Sequence, residues 1–217
     1  MREVKNLLYE QVSRIGKALA SPKRLEIIEL LCQCEKTVET LARDADVSIK
    51  LASAHLKGLR AARLVGARKD GRYVYYRLTD PSVAELWVTL RGVAEERLLD
   101  LQVALRSLVE SGTELQGMDR ESILKRAKQG EVVVIDVRPA EEFAASHLPY
   151  ARSMPLAELK QRLKHLPKGK PVVAYCRGPF CMMAKDAVSL LRKQGYRAFK
   201  LADGVAEWKS SGLPLEQ

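Results

Sequence analysis

The sequence predicts two domains of different class: an α+β module of short helices closed by one hairpin, then an α/β domain on a parallel sheet. Three observations carry this. Apolar residues of the first half recur at helical spacing, broken once by strand-like runs at 64–69 and 72–78 around Asp70-Gly71. The second half alternates short apolar runs with helical stretches, as parallel strands with crossover helices require. Between the halves, Ser111-Gly112-Thr113-Glu114 reads as a helix end and the start of a linker. The expected division is 1–111, a linker at 112–118, and 119–217. At 217 residues the chain is long enough for two separate cores.

Composition sets limits on function. Hydrophobic content of 47% with 29% charged residues is ordinary for a soluble globular protein. No run approaches the roughly 20 apolar residues of a membrane span, and Met1-Arg2-Glu3-Val4-Lys5 lacks the apolar core of a signal peptide. A cytoplasmic protein with no membrane partner is expected, and no cofactor is called for. Four cysteines fall in two close pairs, Cys32 with Cys34 and Cys176 with Cys181, which suits thiol chemistry better than a secreted disulfide framework. The net charge of +10 is unevenly spread. Residues 47–78 hold eight basic residues against Asp70 alone, a local +7 that suits an anionic partner or a solvated face.

In chain order, Ser21-Pro22 opens a helix whose Leu25, Ile27, Ile28, Leu30 and Leu31 supply an apolar face. A short helix follows over 37–45. Ser48 is a good N-cap for a third, 49–62, with Ala52, Leu56 and Leu59 on one side. Two helices joined by a tight turn, the second strongly basic, form a helix-turn-helix pattern. At 100° per residue, the opposite side carries Lys50, Ala54 and Lys57, with Ser53 at its edge. That side would enter the major groove of double-stranded DNA. There Lys50 and Ser53 are candidate donors to bases or phosphates, Ala54 a contact for a thymine methyl, and Lys57 a phosphate contact, with the N-cap Ser48 a further DNA-binding candidate. His55 lies nearer the core boundary and reads as a packed or capping histidine. The hairpin makes a wing whose Arg68, Lys69 and Arg72 would reach the sugar-phosphate backbone or an adjacent minor groove.

Leu19-Ala20-Ser21-Pro22-Lys23-Arg24-Leu25, Ser53-Ala54-His55-Leu56-Lys57-Gly58-Leu59 and Asp70-Gly71-Arg72-Tyr73-Val74-Tyr75-Tyr76-Arg77-Leu78 together resemble the ArsR family of winged-helix repressors, over about residues 5–97. The resemblance implies a homodimer on a palindromic operator, released by an inducer. Many members bind metal through a Cys-x-Cys before the recognition helix, where this sequence has Thr37-Val38-Glu39. No metal site is therefore assigned. Cys32 and Cys34 lie a few residues earlier and remain weak candidates for a soft metal or metalloid, against a reading as packed or redox-capable thiols. Asp80-Pro81 then opens a long helix to about 111, whose Leu86, Leu90, Val93, Leu101, Leu105 and Leu108 form a stripe that dimerisation with an N-terminal helix at 4–19, or the second domain, would cover.

In the second half, strands are expected at 132–137, 172–175 and 198–201, and helices at 139–145, 156–163, 182–195 and 205–210. Val172-Val173-Ala174-Tyr175 runs into Cys176, then a Gly-Pro loop, then a helix. A thiol where backbone amides converge on a helix N-terminus is a stabilised thiolate, and Arg177 adds positive charge that would lower its pKa and attract an anionic substrate. A buried structural cysteine is the alternative.

Ile135-Asp136-Val137-Arg138-Pro139-Ala140-Glu141-Glu142-Phe143, His147-Leu148-Pro149-Tyr150-Ala151, the loop from Cys176 to Cys181, and Asp203-Gly204-Val205-Ala206-Glu207-Trp208 resemble the rhodanese family of sulfurtransferases, from about residue 118 onward. The resemblance implies that Cys176 takes sulfane sulfur from a donor such as thiosulfate or a persulfide, holds it as a persulfide, and passes it to a thiophilic acceptor. Asp136 and Arg138 would brace the loop. Related phosphatases close a longer loop on an arginine; Cys176-Arg177-Gly178-Pro179-Phe180-Cys181 does not, which favours sulfur over phosphate. Cys181 departs from the usual loop. It would either resolve a persulfide on Cys176 into a disulfide or point into the core. Two functions follow: a repressor whose operator affinity responds to chemistry at Cys176, or a sulfurtransferase whose DNA-binding half answers a separate metal or metalloid inducer.

Overall fold

The computed structural model describes residues 1–108 and 120–217, with the side chain of Leu108 excepted. It divides into two compact units, Met1–Thr89 and Leu90–Gln217. The expected linker at 112–118 lies outside the described residues, as do the helix end at 111 and the Ser111-Gly112 signal.

The first unit opens with α1 (Arg2–Leu19) and α2 (Pro22–Leu31), followed by β1 (Lys36–Thr37), α3 (Val38–Asp44) and α4 (Ile49–Ala61). Hairpin strands β2 (Val65–Asp70) and β3 (Tyr73–Leu78) come next, then α5 (Pro81–Arg97), which begins in this unit. Pro22 sits in the first turn of α2, where its missing N–H costs nothing. The side chains of Thr37 and Ser48 accept N–H bonds from Thr40 (3.3 Å) and Leu51 (3.2 Å), so each capping hydroxyl sets the start of its helix. Between α3 and α4 the backbone turns through Asp46 at φ 50°, a left-handed conformation that aspartate tolerates. Ile27, Ile28, Leu41, Ala52, Leu56 and Leu59 are fully buried, the three from α4 on the side its spacing marks. The two-residue β1, unforeseen in the sequence, pairs with β3 through Lys36 and Tyr76.

Two expectations are corrected here. Asp70 pairs with Tyr73, so the two-residue turn is Gly71-Arg72 rather than Asp70-Gly71, with Gly71 supplying the positive φ of 57°. The long helix after Pro81 is interrupted at Leu98 and resumes as α6 (Leu99–Leu108). Gln102 Nε2 donates to the carbonyls of Glu95 (2.9 Å) and Glu96 (3.2 Å), satisfying the end of α5 and stabilising the break.

The second unit continues with α7 (Arg120–Lys128), β4 (Val133–Asp136), α8 (Ala140–Ala145), β5 (Arg152–Ser153) and α9 (Leu156–Arg162), which tightens into a 3₁₀ turn at Leu163–His165. Then come β6 (Val172–Tyr175), α10 (Met183–Lys193), β7 (Ala198–Lys200) and α11 (Val205–Ser210). Strands in the order β5-β4-β6-β7 pair in parallel. Alternation puts Val133, Ile135, Val172, Ala174 and Cys176 in one core layer with Leu159, Ala184, Ala187 and Leu191. Val132, Val134, Val173 and Tyr175 face the other, with Ile123, Leu148, Val205 and Trp208. A sheet buried on both faces explains why these strands read as continuous apolar runs. Cys176 follows β6 directly, at the carboxyl end where open α/β sheets place their sites.

Candidate thiol site and nucleic-acid face

Cys176 is buried with the α10 layer, while Cys181, at the far end of the loop, is half-buried. The loop folds back so that the Cys181 amide donates to Gly178 O at 3.1 Å and Cys176 Sγ to Cys181 O at 3.5 Å. The two thiols also act on each other's titration, Cys176 being held up and Cys181 held down. Burial pushes the Cys176 thiol well up, helped by the hydrogen bond and negative charge of Cys181, against the Ala184 amide and Lys200. Cys181 is brought down to about 6, first by the hydrogen bond from Cys176, then by the backbone amides of Arg177 and Met183 and the Arg177 charge. The sequence placed the depressed pKa on Cys176. The structure puts it on Cys181, because the amides at the start of α10 and the end of β6 converge on the outer sulfur while the inner one is shut in the core.

Arg177 lowers a loop thiol by its charge, as expected, but the thiol is that of Cys181 and the charge acts from an inward position. Its guanidinium turns inward to the fully buried Glu142, with Nη2 at 2.6 Å and Nε at 3.1 Å, so it anchors the loop to α8. Lys200 on β7, which the sequence did not single out, reaches Pro179 O (3.4 Å) and Cys181 O (3.3 Å). It is the lysine that holds the loop's second half. Nothing local marks Lys200, since only the β6–β7 pairing brings it there.

Two glycines are dictated by close approach. At Gly204 a Cβ would lie 2.6 Å from Cys176 O and from the Arg177 carbonyl carbon, so the loop backbone rests on a position that admits only hydrogen. Gly178 takes φ 146°, and a Cβ there would press on the Glu207 carboxylate at 3.2 Å. Glu207 in turn accepts the Gly204 amide at 2.6 Å and pairs with Arg91 at 2.8 Å, within the second unit. Asp136 and Arg138 form a fully buried pair with contacts of 2.5–3.0 Å, and Arg138 Nη2 also donates to Ser146 O at 2.7 Å. Tyr175, the residue before Cys176, bonds Asp136 and receives the Leu148 amide at 3.1 Å. The predicted bracing pair therefore ties β4 to the end of β6 and to the segment after α8.

In the first unit, Lys50, Ser53, Ala54 and Lys57 are exposed on α4 away from its buried stripe, and Ser48 is exposed at its N-cap. Lys69 and Arg72 are exposed on the hairpin, Arg72 stacked on Tyr73 at 4.9 Å. Arg68 differs. It is clasped by Glu35, with Nε to Oε2 at 2.8 Å, and by Asp70 at 2.9 Å, and lies over Tyr75 at 4.8 Å. Cys32 and Cys34 are half-buried, and among the described residues no three His, Cys, Asp or Glu side chains gather as a metal set.

Comparison with known proteins decides the family. The chain is 42% identical over 213 residues to the HTH-type transcriptional regulator Rv0324 of Mycobacterium tuberculosis, covering 98% of this chain and 93% of that one. The model of the arsR family of bacterial regulatory proteins matches residues 21–66, and that of the rhodanese-like domain residues 119–211. The chain belongs to the arsR family of regulators, in a form that carries a C-terminal rhodanese-like domain.

This arsR-type chain is also 33% identical over 100 residues to a sulfurtransferase of Allochromatium vinosum, covering 45% of this chain and 92% of that one. The solution structure of the homodimeric winged helix-turn-helix DNA-binding domain Mb0332 from Mycobacterium bovis is 42% identical, covering 43% of this chain and 87% of that one, at a TM-score of 0.42. In this arsR-type chain the exposed side of α4 and the β2–β3 hairpin are the candidate nucleic-acid face, and the loop after β6 is the candidate thiol site. Among the described residues no helix is long and apolar enough to cross a membrane.

Proposed function

We propose that this chain is a homodimeric repressor whose affinity for a double-stranded DNA operator is set by sulfane sulfur carried on Cys176. The observation that carries the reading is the cysteine pair at the end of β6, with Cys176 Sγ 3.5 Å from the Cys181 carbonyl, joined in one chain to an arsR-type helix-turn-helix. One negative charge shared between two sulfurs supplies a nucleophile for a small sulfur donor such as thiosulfate or a persulfide.

Exposed α4 side chains support operator binding: Lys50 and Ser53 toward bases or phosphates, Ala54 toward a thymine methyl, Lys57 toward phosphate. The homodimer is supported by apolar side chains exposed at helical spacing: Val4, Leu8 and Val12 on α1, Leu86, Leu90 and Val93 on α5, and Leu99 and Val103 on α6. Asp136 and Arg138 brace the segments beside the loop, and Arg177 holds the loop to α8. In the rival reading Cys32 and Cys34 bind a metal or metalloid inducer and catalysis is independent, so induction would survive Cys176→Ser.

A reporter gene under the chain's operator, in cells expressing wild type or Cys176→Ser, tests the reading. Thiosulfate in the medium is expected to raise expression with wild type only. An equal rise with both proteins overturns it.

A further inference from the structure

Resting on the carriage of sulfane sulfur by Cys176, we infer that Cys181 is an internal acceptor that discharges the Cys176 persulfide as hydrosulfide and leaves a Cys176–Cys181 disulfide. The domain would then convert sulfane sulfur into a thiol oxidation state of its own chain, rather than hand the sulfur to an external acceptor.

The geometry points at the inner sulfur. The Cys181 carbonyl lies 3.5 Å from Cys176 Sγ, the loop being folded back by the Cys181-to-Gly178 bond and pinned by Lys200 on that same carbonyl, so the two cysteines are held together at the loop's base. Loop and α10 amides, from Arg177 and Met183, already bond the Cys181 sulfur. A negatively charged sulfur is therefore stabilised beside Cys176 before any donor arrives. Cys181 is half-buried and Cys176 buried, so the pair is screened from bulk thiols that would compete for the persulfide.

The chemistry balances with the donor as the oxidant. The pair begins with one proton, on Cys176, and Cys181 as thiolate. Cys176 Sγ attacks the outer sulfur of thiosulfate, the donor's S–S bond breaks, its electron pair leaves with sulfite, and the Cys176 proton passes to Cys181. That proton then moves to the terminal sulfur of the persulfide. Cys181 Sγ attacks Cys176 Sγ, the persulfide S–S bond breaks, and hydrosulfide departs with the electron pair and the proton. The two side chains lose two electrons, and the sulfane sulfur gains them. Hydrosulfide is a good leaving group because its conjugate acid is more acidic than an alkyl thiol.

The test uses the full chain, reduced and then freed of reductant, treated with thiosulfate without added thiol. Sulfite is assayed, hydrosulfide is swept out and trapped, and the protein is weighed and mapped by mass spectrometry. Wild type is expected to release one sulfite and one hydrosulfide per chain, lose the mass of two hydrogens, and yield a Cys176–Cys181 crosslinked peptide. Cys181→Ser, loaded at alkaline pH, is expected to release sulfite but retain one added sulfur atom on Cys176. A wild type that releases sulfite yet retains the added sulfur overturns the inference and leaves the carriage intact. Hydrosulfide from Cys181→Ser, or a disulfide that spares Cys176 and Cys181, also overturns it. No sulfite from wild type overturns carriage and inference together.

Discussion

Cys176 Sγ lies 3.5 Å from the Cys181 carbonyl oxygen, and the two thiols titrate together, Cys176 held up by burial and Cys181 held down by its neighbours. The pair is a single titrating unit that gives up its first proton early and its second late. Above about pH 6 the Cys181 side therefore gains negative charge, beside the positive Arg177.

Selective alkylation reads this out. Because Cys181 is brought down to about 6, raising the pH through 6 increases its thiolate, and iodoacetamide is expected to label Cys181 with a midpoint there. Cys176 should remain unlabelled until well above its ordinary range. Arg177→Met removes one of the charges that lowers Cys181, so the midpoint moves up. A midpoint near the ordinary thiol value in wild type contradicts this assignment.

Lys200 contacts the carbonyls of Pro179 and Cys181 and lies near Cys176. Lys200→Met is expected to slow sulfite release from thiosulfate on the order of tenfold, the scale of a lost charged contact of about 1.4 kcal/mol. Rates equal to wild type exclude a positioning role.

Gly204 supports the loop by having no side chain. Gly204→Ala would drive a Cβ to 2.6 Å of Cys176 O, so the loop must shift. Sulfite release should fall on the order of a hundredfold, as a displacement of about 1 Å can cost, while the reduced protein keeps its operator affinity. Unaltered turnover would show that the loop moves at little cost.

Asp136 and Arg138 are both fully buried. Asp136→Ala strands a buried guanidinium, and urea unfolding of the full chain is expected to show a loss of about 3–5 kcal/mol. A loss below about 1 kcal/mol would mean that Arg138 finds other partners.

On the candidate nucleic-acid face, Lys57 is exposed whereas Arg68 is clasped by Glu35 and Asp70. Lys57→Ala should lower operator affinity and reduce the slope of log affinity against log salt by about 0.9, one phosphate contact. Arg68→Ala should change the slope less. The reverse order would show that the wing clasp opens on DNA.

Much of this was legible in the sequence where local chemistry decides it. Ser48 marks the start of α4, the spacing of Ala52, Leu56 and Leu59 marks its buried side, and apolar runs mark β4 and β6. What escaped was set by partners distant in sequence. β1 exists because β3 is there to pair with it, and the break at Leu98 is stabilised by Gln102 reaching back over α5. Arg177 and Glu142 are 35 residues apart. Only the folded β4–β6 neighbourhood shows that the arginine binds a buried carboxylate instead of facing a substrate. The proton's place on Cys176 follows from burial and amide direction, neither of which a six-residue motif records.

Thiol chemistry in the rhodanese-like domain is predicted to change operator affinity. Its most direct measurement is an operator titration with purified full-length protein, reduced and after thiosulfate, for wild type and Cys176→Ser in parallel. A weakening on the order of tenfold or more in wild type alone is the predicted result, restored by reductant. Equal operator affinity in all four samples would contradict the account.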